Sequence, residues 1–281
     1  NGTSSLKHLS PGSFQGHPGG FGWFDLDEVK EAMGPEHEKP KDGSRFHEEM
    51  DRLPHFRPPA ILLPHGTVGN SASGIAPDVS KGKFGPFNEQ LFVADQTHSV
   101  INRCFLEKIN GYYQGACFPF VKGFGSGNVP VVQAPDGSLF SGGTDRGWGA
   151  RGGKRYALDR VVWTGETPFE ILEMRILKDG FELEFTKPVS KVSAESVASY
   201  EMKTHTYIFQ GRYGSPRVDA TEPVIKSAKL AKDGKTVKLV VEGLQRGHIH
   251  ELKSAGVRSK DGDHPLLHDM AYYTIWHFPK S

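Results

Sequence analysis

Cysteine is scarce. The 281 residues include two, Cys104 and Cys117, and no Cys-x-x-Cys-His, so the chain attaches no c-type haem of its own. Long apolar runs are also missing: none approaches the roughly 20 residues that span a bilayer, and the opening Asn1-Gly2-Thr3-Ser4-Ser5 lacks the charged and apolar regions of a secretory leader. Charge of one sign is not in excess. Against 34 Lys and Arg stand 33 Asp and Glu, and no basic block stands out, which removes the electrostatic footprint for nucleic acid or an anionic membrane.

Glycine (34 residues) and proline (19) are abundant, which disfavours long helices, while 11% aromatic residues supply the apolar surface a core needs. The expectation is a turn-rich, all-β protein of one or two domains. Asn110-Gly111 lies between the two cysteines as a hairpin signal, so either a disulfide across the hairpin or two half-buried thiols fits.

Residues 1–60 read as mostly irregular. His17 to Phe24 is aromatic and punctuated by glycine, and Asp25 to Met33 forms one short helix with an acidic first turn and Gly34-Pro35 as its stop. Residues 35–57, charged, His-rich and broken by proline, read as a long surface excursion. From Pro58 the chain changes to short β runs at 60–63, 89–95, 100–107, 129–134, 138–143 and 157–163, with Pro135-Asp136-Gly137 as a turn. These form two units of about forty residues, the blade period of a β-propeller. After Pro168, residues 169–177, 180–185 and 236–241 alternate apolar and polar, with Asp179-Gly180 and Asp233-Gly234 as turns and 271–276 as a closing strand. Residues 169–279 therefore predict an immunoglobulin-like β-sandwich.

The run Leu63-Pro64-His65-Gly66-Thr67-Val68-Gly69-Asn70-Ser71-Ala72-Ser73-Gly74-Ile75, then Phe92 to Arg103, then Ala134-Pro135-Asp136-Gly137-Ser138-Leu139-Phe140, resembles the last blades of glucose/sorbosone dehydrogenase-type propellers. More closely, it is similar to large exported propeller proteins of planctomycete-type bacteria, whose propeller is joined to an immunoglobulin-like module and to haem-binding domains. The resemblance implies a partial β-propeller (its C-terminal blades) over 1–166 and the sandwich over 169–279. Six or seven blades need roughly 250–300 residues at about 40 each. It follows that the chain is the C-terminal part of a larger protein, completed by a second chain or by missing N-terminal blades. An exported location and a cytochrome c-type partner domain are implied with it. A smaller, differently closed β fold is the alternative.

Enzymes of this family hold pyrroloquinoline quinone and calcium, with a His base to take the hydroxyl proton as hydride leaves and Arg forks on the quinone carboxylates. Carried over, the resemblance implies His65 as the base with Asp95 and His98 beside it. By residue type and clustering rather than by the resemblance, Asn102 and Arg103 at the same turn and Asp145, Arg146 and Arg151 on the Gly-rich loop suit a cofactor, and Asn70 and Trp148 a sugar substrate. Each has a structural alternative: His65 supporting its Gly-rich loop, Asp95 to Arg103 forming Asx turns and caps, and 144–153 packing as a tight loop. The chain departs from the quinoprotein pattern, which ends this blade with a short turn and an Arg followed closely by the inner strand: it inserts the Gly-rich loop 144–153 and continues as Lys154-Arg155-Tyr156-Ala157-Leu158.

In the second module Gly247-His248-Ile249-His250 places two imidazoles on one strand face, a metal-ligating geometry or simply two hydrogen-bonded histidines; His264 and His268 are less regular. Tyr207 to Pro216 is an aromatic loop that grips a sugar or covers a sheet edge. Three functions follow: a sugar-related oxidoreductase, a non-catalytic carbohydrate- or protein-binding propeller-sandwich, and a metal-dependent lyase or dehydratase on the same scaffold.

Overall fold

The computed structural model describes residues 3–13, 26–33, 38–212 and 214–280. The aromatic stretch 17–24, the Gly34-Pro35 stop and Tyr213 lie outside the described residues. Strand dominates throughout, as the glycine and proline content demands. Strand β1 (Ser5–Leu6) pairs antiparallel with β2 (Ile61–Leu62). Helix α1 (Asp27–Met33) begins with Asp27 and Glu28, whose charges favour a helix N-terminus.

Helix α2 (Phe46–Arg52) corrects part of the surface excursion expected over 35–57. Met50, Leu53 and Phe56, spaced three apart among charged neighbours, are buried together with Glu49. Phe46 and Phe56 stack at 6.2 Å, and both meet the Phe209 ring edge-on at 6.2 and 5.9 Å.

Four strands follow as an antiparallel meander: β3 (Ala72–Pro77), β4 (Leu91–Asp95), β5 (Val100–Ile109) and β6 (Tyr112–Lys122). Asn110 and Gly111 close β5 onto β6, with Ile109 opposite Tyr112 and both turn residues at positive φ (50° and 89°). The register sets Cys104 directly opposite Cys117, and both are free, fully buried thiols. Burial and contact with Cys104 push the Cys117 thiol well above its usual range.

Strands β7 (Asn128–Gln133), β8 (Leu139–Thr144) and β9 (Tyr156–Val161) make a separate sheet, β7 and β8 being joined by the expected Pro135-Asp136-Gly137 turn. There Gly137 N–H donates to the Ala134 carbonyl at 2.9 Å. Strand β7 crosses β3 at backbone distance: a Cβ on Gly74 would lie 2.4 Å from the Val129 carbonyl oxygen, so only glycine fits there.

The remaining elements are β10 (Ile171–Leu177), β11 (Gly180–Phe185), α3 (Lys191–Ala194), β12 (Glu201–Tyr207), β13 (Arg217–Thr221), β14 (Val224–Leu230), β15 (Thr236–Glu242), β16 (Ile249–Lys253) and β17 (Met270–Thr274). Leu177 pairs with Gly180, so the first turn is made by Lys178 and Asp179, and Gly180 already belongs to β11. Strands β10-β11-β15-β14 form one sheet, and β13-β12-β16-β17-β6-β5-β4-β3 form another of eight. The alternation read in β10, β11 and β15 sends Met174, Phe181, Leu183, Phe185, Val237 and Leu239 inward, where they meet Phe105, Ala116, Phe118, Leu252 and Tyr273 of the eight-stranded sheet.

That sheet takes strands from both sides of the 166–169 boundary. Strand β17 pairs with β6 through Tyr272 opposite Cys117, Tyr273 opposite Ala116 and Thr274 opposite Gly115. Gln114 reinforces the seam: its amide N–H groups donate to Tyr273 Oη and the His277 carbonyl, each at 3.0 Å, and its oxygen accepts from the Trp276 and His277 N–H groups at 2.9 and 2.8 Å.

Candidate functional site

Three loops meet at one end of β3–β5: residues 64–71, the β4–β5 turn at 96–99, and the Gly-rich loop 145–155. In the first, the Pro64 carbonyl accepts N–H bonds from Thr67, Val68 and Gly69 at 3.1 to 3.2 Å. The His65 ring is exposed, while its backbone is fixed: its N–H donates to Tyr207 Oη at 3.1 Å and its carbonyl accepts from Arg217 Nη2 at 3.0 Å. Asp95, 1% exposed, ties this loop to the turn. Its Oδ2 accepts N–H bonds from Asn70 and Ser71 (2.7 and 2.8 Å) and its Oδ1 from His98 (2.8 Å).

Asp95 therefore acts here as the Asx-type anchor that the sequence offered as its structural alternative. Asp95→Ala leaves three main-chain N–H groups without their acceptor, and at about 1 kcal/mol each is expected to destabilise the fold by about 3 kcal/mol. Urea denaturation measures it; a loss under about 0.5 kcal/mol would contradict the anchoring role.

The His98 ring is buried and neither nitrogen has a partner among the described residues. Burial lowers its pKa, Arg151 and His65 act in the same direction, and Asp95 opposes them, so the ring is held neutral. The Gly-rich loop lies across the turn: Arg151 N–H donates to the Thr97 carbonyl (3.0 Å), Gly152 N–H to Ser99 Oγ (2.9 Å), and the Gln96 side-chain amide to the Thr144 and Trp148 carbonyls (3.0 and 2.7 Å). Asp145 N–H donates to the Arg155 carbonyl at 3.3 Å. Arg146, Trp148 and Arg151 point to solvent. The structure thus gathers His65, Asn70, Asp95, His98 and Arg151 at one place, with Asp145, Arg146 and Trp148 on the loop above.

Asn102 and Arg103 are elsewhere. Asn102 Nδ2 donates to the Val68 carbonyl at 2.6 Å beneath the loop. The Arg103 guanidinium is fully buried between the Phe87 and Phe118 rings (4.7 and 4.4 Å to the centroids) and donates to the Ile171 and Leu172 carbonyls at 2.5 and 2.7 Å and to Gln90 Oε1. Burial draws its pKa down to about 10, with Glu170 the first influence opposing it. The Asn102 amide N–H is spent on the underside of the 64–71 loop and the Arg103 guanidinium is enclosed away from all three loops, so Arg103 does not fit a quinone carboxylate, and no reaction step is derived through a quinone or calcium.

His248 and His250 are both buried, and among the described residues no group of three or more His, Cys, Asp or Glu is arranged to hold a metal ion. His250 Nε2 accepts the Gln245 N–H at 3.2 Å, with its ring 5.9 Å from Phe181. His268 Nδ1 bonds Glu170 Oε1 at 2.8 Å, away from both. Tyr207, read as part of a sugar-gripping or edge-covering loop, is fully buried as the last residue of β12. It belongs instead to a chain of contacts that sequence reading missed. His205 Nδ1 lies 3.2 Å from Glu251, Glu251 is 3.5 Å from Arg217, and Arg217 Nη2 donates to the His65 carbonyl and Thr67 Oγ1. These partners are some 150 residues from the loop they hold, and no local pattern marks them.

A second feature is the sheet β7-β8-β9. One face, with Val131 and Leu139, is buried against Ala76, Phe84 and Phe92. On the other face the register aligns Val132 with Phe140 and Arg160, and Gly142 with Leu158, while Tyr156 follows on β9. Leu158 is 76% exposed, Tyr156 61% and Val132 60%. Strand β9 has β8 on one side and no described strand on the other. A sheet face this apolar, ending in an open edge, is unusual on a free surface.

No family model matches the chain, and no curated protein matches it. Among solved structures, the crystal structure of the N-terminal part of the bacterial S-layer protein SbsC is similar at 18% identity, over 38% of this chain and 24% of that one, with a TM-score of 0.30. The chain thus spans about a quarter of that structure's length, and a likeness of this degree carries no argument about fold or function.

Proposed function

We propose that the chain is a non-catalytic, protein-binding propeller-sandwich, and that β7-β8-β9 is a blade docking a further antiparallel sheet. The exposed face of Val132, Leu158 and Tyr156 carries the reading. In a propeller each blade buries both faces against neighbours, and here one face is buried on β3 and β4 in that manner while the other repeats the same apolar character. The close crossing of β3 and β7, with Ser73 Oγ donating to the Asn128 carbonyl at 2.7 Å, fits successive inner strands. The occupant this surface suits is a sheet with an apolar face, supplied by a second chain or by further blades.

Photo-crosslinking tests it in the cells that make the protein. A benzophenone amino acid at position 158 is expected to give a discrete adduct mapping to a strand of a partner sheet, and the same probe at the exposed Val192 of α3 none. Val132→Glu places an unpaired carboxylate in the interface and is expected to reduce the adduct at least about tenfold. No adduct at 158, equal adducts at both positions, or an adduct to another copy of β7–β9 would overturn the reading.

A second reading, the sugar oxidoreductase with His65 as base, draws on one observation: the exposed His65 ring stands beside His98 and Arg151. An exported location and a cytochrome c-type acceptor belong to that second reading.

A further inference from the structure

A cleft of about 320 Å³ opens between the N-terminal segment, the chain leading into β2, and the β5–β6 turn. His8, Ser10, Arg57, Tyr112 and Tyr113 stand in its wall, Pro58 and Ala60 supply apolar surface, and there is no Asp or Glu in the lining among the described residues. The volume is at the lower end of small-molecule sites.

Its Arg57 and tyrosine donors are only partly used. Arg57 lies over the Tyr112 ring at 5.2 Å and donates through Nη1 alone, to the Pro54 and Phe56 carbonyls at 2.6 and 3.0 Å. Nε and Nη2 have no hydrogen-bond partner among the described residues, and neither do the hydroxyls of Tyr112 and Tyr113. The tyrosines themselves are held: the His277 ring is 4.5 Å from Tyr112, the His8 ring 4.6 Å from Tyr113, and Lys108 Nζ 5.5 Å from the Tyr113 centroid. Both ring positions are therefore fixed before any ligand arrives, which lowers the ordering cost of binding.

A guanidinium with free donors, a lysine close by and no acid in the wall select an oxyanion, and a planar fork favours a carboxylate. Two phenol hydroxyls beside it can each donate and accept, the pairing that neighbouring ring hydroxyls of a sugar require. We propose that this cleft binds a carboxylated sugar residue, a uronate, with Arg57 taking the carboxylate and Tyr112 and Tyr113 the ring hydroxyls. The site shares no residue with β7–β9, so it stands or falls apart from the docking reading.

Calorimetric titration of the whole chain with methyl glucuronide, methyl glucoside and inorganic phosphate is the test. Saturable glucuronide binding is expected, at least about tenfold tighter than that of the neutral glucoside, because the charge-assisted bond is then missing. Phosphate, lacking the ring hydroxyls, is expected to bind at least about fivefold more weakly than the glucuronide. Arg57→Met should weaken glucuronide at least tenfold. The double variant Tyr112→Phe, Tyr113→Phe, which removes two oxygens and no packing, should weaken it about fivefold with an unchanged thermal midpoint. Glucoside or phosphate matching glucuronide, no detectable glucuronide binding, or undiminished binding in the tyrosine variant would overturn the proposal.

Discussion

Arg103→Ala is expected to destabilise the protein by about 4 kcal/mol, among the largest losses from a single substitution in the chain. The guanidinium is wholly out of solvent, and two opposing effects have to be weighed. Desolvation disfavours the charge, as the lowered pKa of about 10 records. Against this stand charge-assisted bonds to the Ile171 and Leu172 carbonyls and to Gln90, worth about 1.5 to 3 kcal/mol each, and two aromatic faces, Phe87 and Phe118. Truncation removes all of these contacts and leaves a cavity beneath β10. Arg103→Met refills part of the volume without the donors and is expected to recover about 1 kcal/mol. Guanidinium chloride unfolding measures both; a loss below about 1 kcal/mol for the alanine variant would mean that desolvation cancels the bonds.

Acid should unfold the protein well before its surface carboxylates are neutralised. His248 and His250 are buried, and burial lowers their pKa values to about 4 and about 3. For His248, Asp219 pulls upward while His47, His205 and Arg45 add to the lowering. Both folded values lie below the unfolded value of about 6.5, so below pH 6.5 the unfolded chain binds protons that the folded chain refuses. Stability is therefore fully present above pH 6.5 and falls as the pH drops toward the folded values, by up to about 1.4 kcal/mol per pH unit for each imidazole. Between pH 6.5 and 4.5 the two together remove up to about 5 kcal/mol. His250→Gln should roughly halve the slope over that window, and equilibrium unfolding at fixed pH reads it; a slope unchanged in the variant would show that His250 is not the titrating group.

Much of the local structure was legible because it is written in neighbouring residues. Pro135-Asp136-Gly137 turns where its backbone preferences require, Asn110-Gly111 closes a two-residue hairpin, and the alternation in β10, β11 and β15 sends the expected side chains inward. Asp95 illustrates a residue whose type was informative in two ways: a carboxylate next to a turn suits ion binding and an Asx anchor alike, and the structure adds the anchoring bonds it accepts from the N–H groups of Asn70, Ser71 and His98. What was not legible depends on distant partners. Arg103 reads as a surface fork for an anion until the Ile171 and Leu172 carbonyls close over it. The 35–57 stretch reads as solvent-facing because Glu48, Asp51 and Arg52 mask the three-residue spacing of Met50, Leu53 and Phe56. The Glu251–Arg217 link to the 64–71 loop and the pairing of β6 with β17 join residues separated by well over a hundred positions, where periodicity has nothing to report.

The seam between β6 and β17 bears on how this chain can be cut and recombined. Each strand of this interior pair is hydrogen-bonded on both sides, β6 to β5 and β17, and β17 to β6 and β16. Severing the polypeptide between residues 144 and 169 would leave that pairing whole, and the two pieces would remain one body. Expressing either piece alone would instead bare a fresh sheet edge, at β6 in one and β17 in the other, with Ala116, Cys117, Tyr272 and Tyr273 uncovered beside it. The chain is therefore a poor donor for transplantation: its second half cannot be lifted onto another scaffold without the hairpin that precedes it.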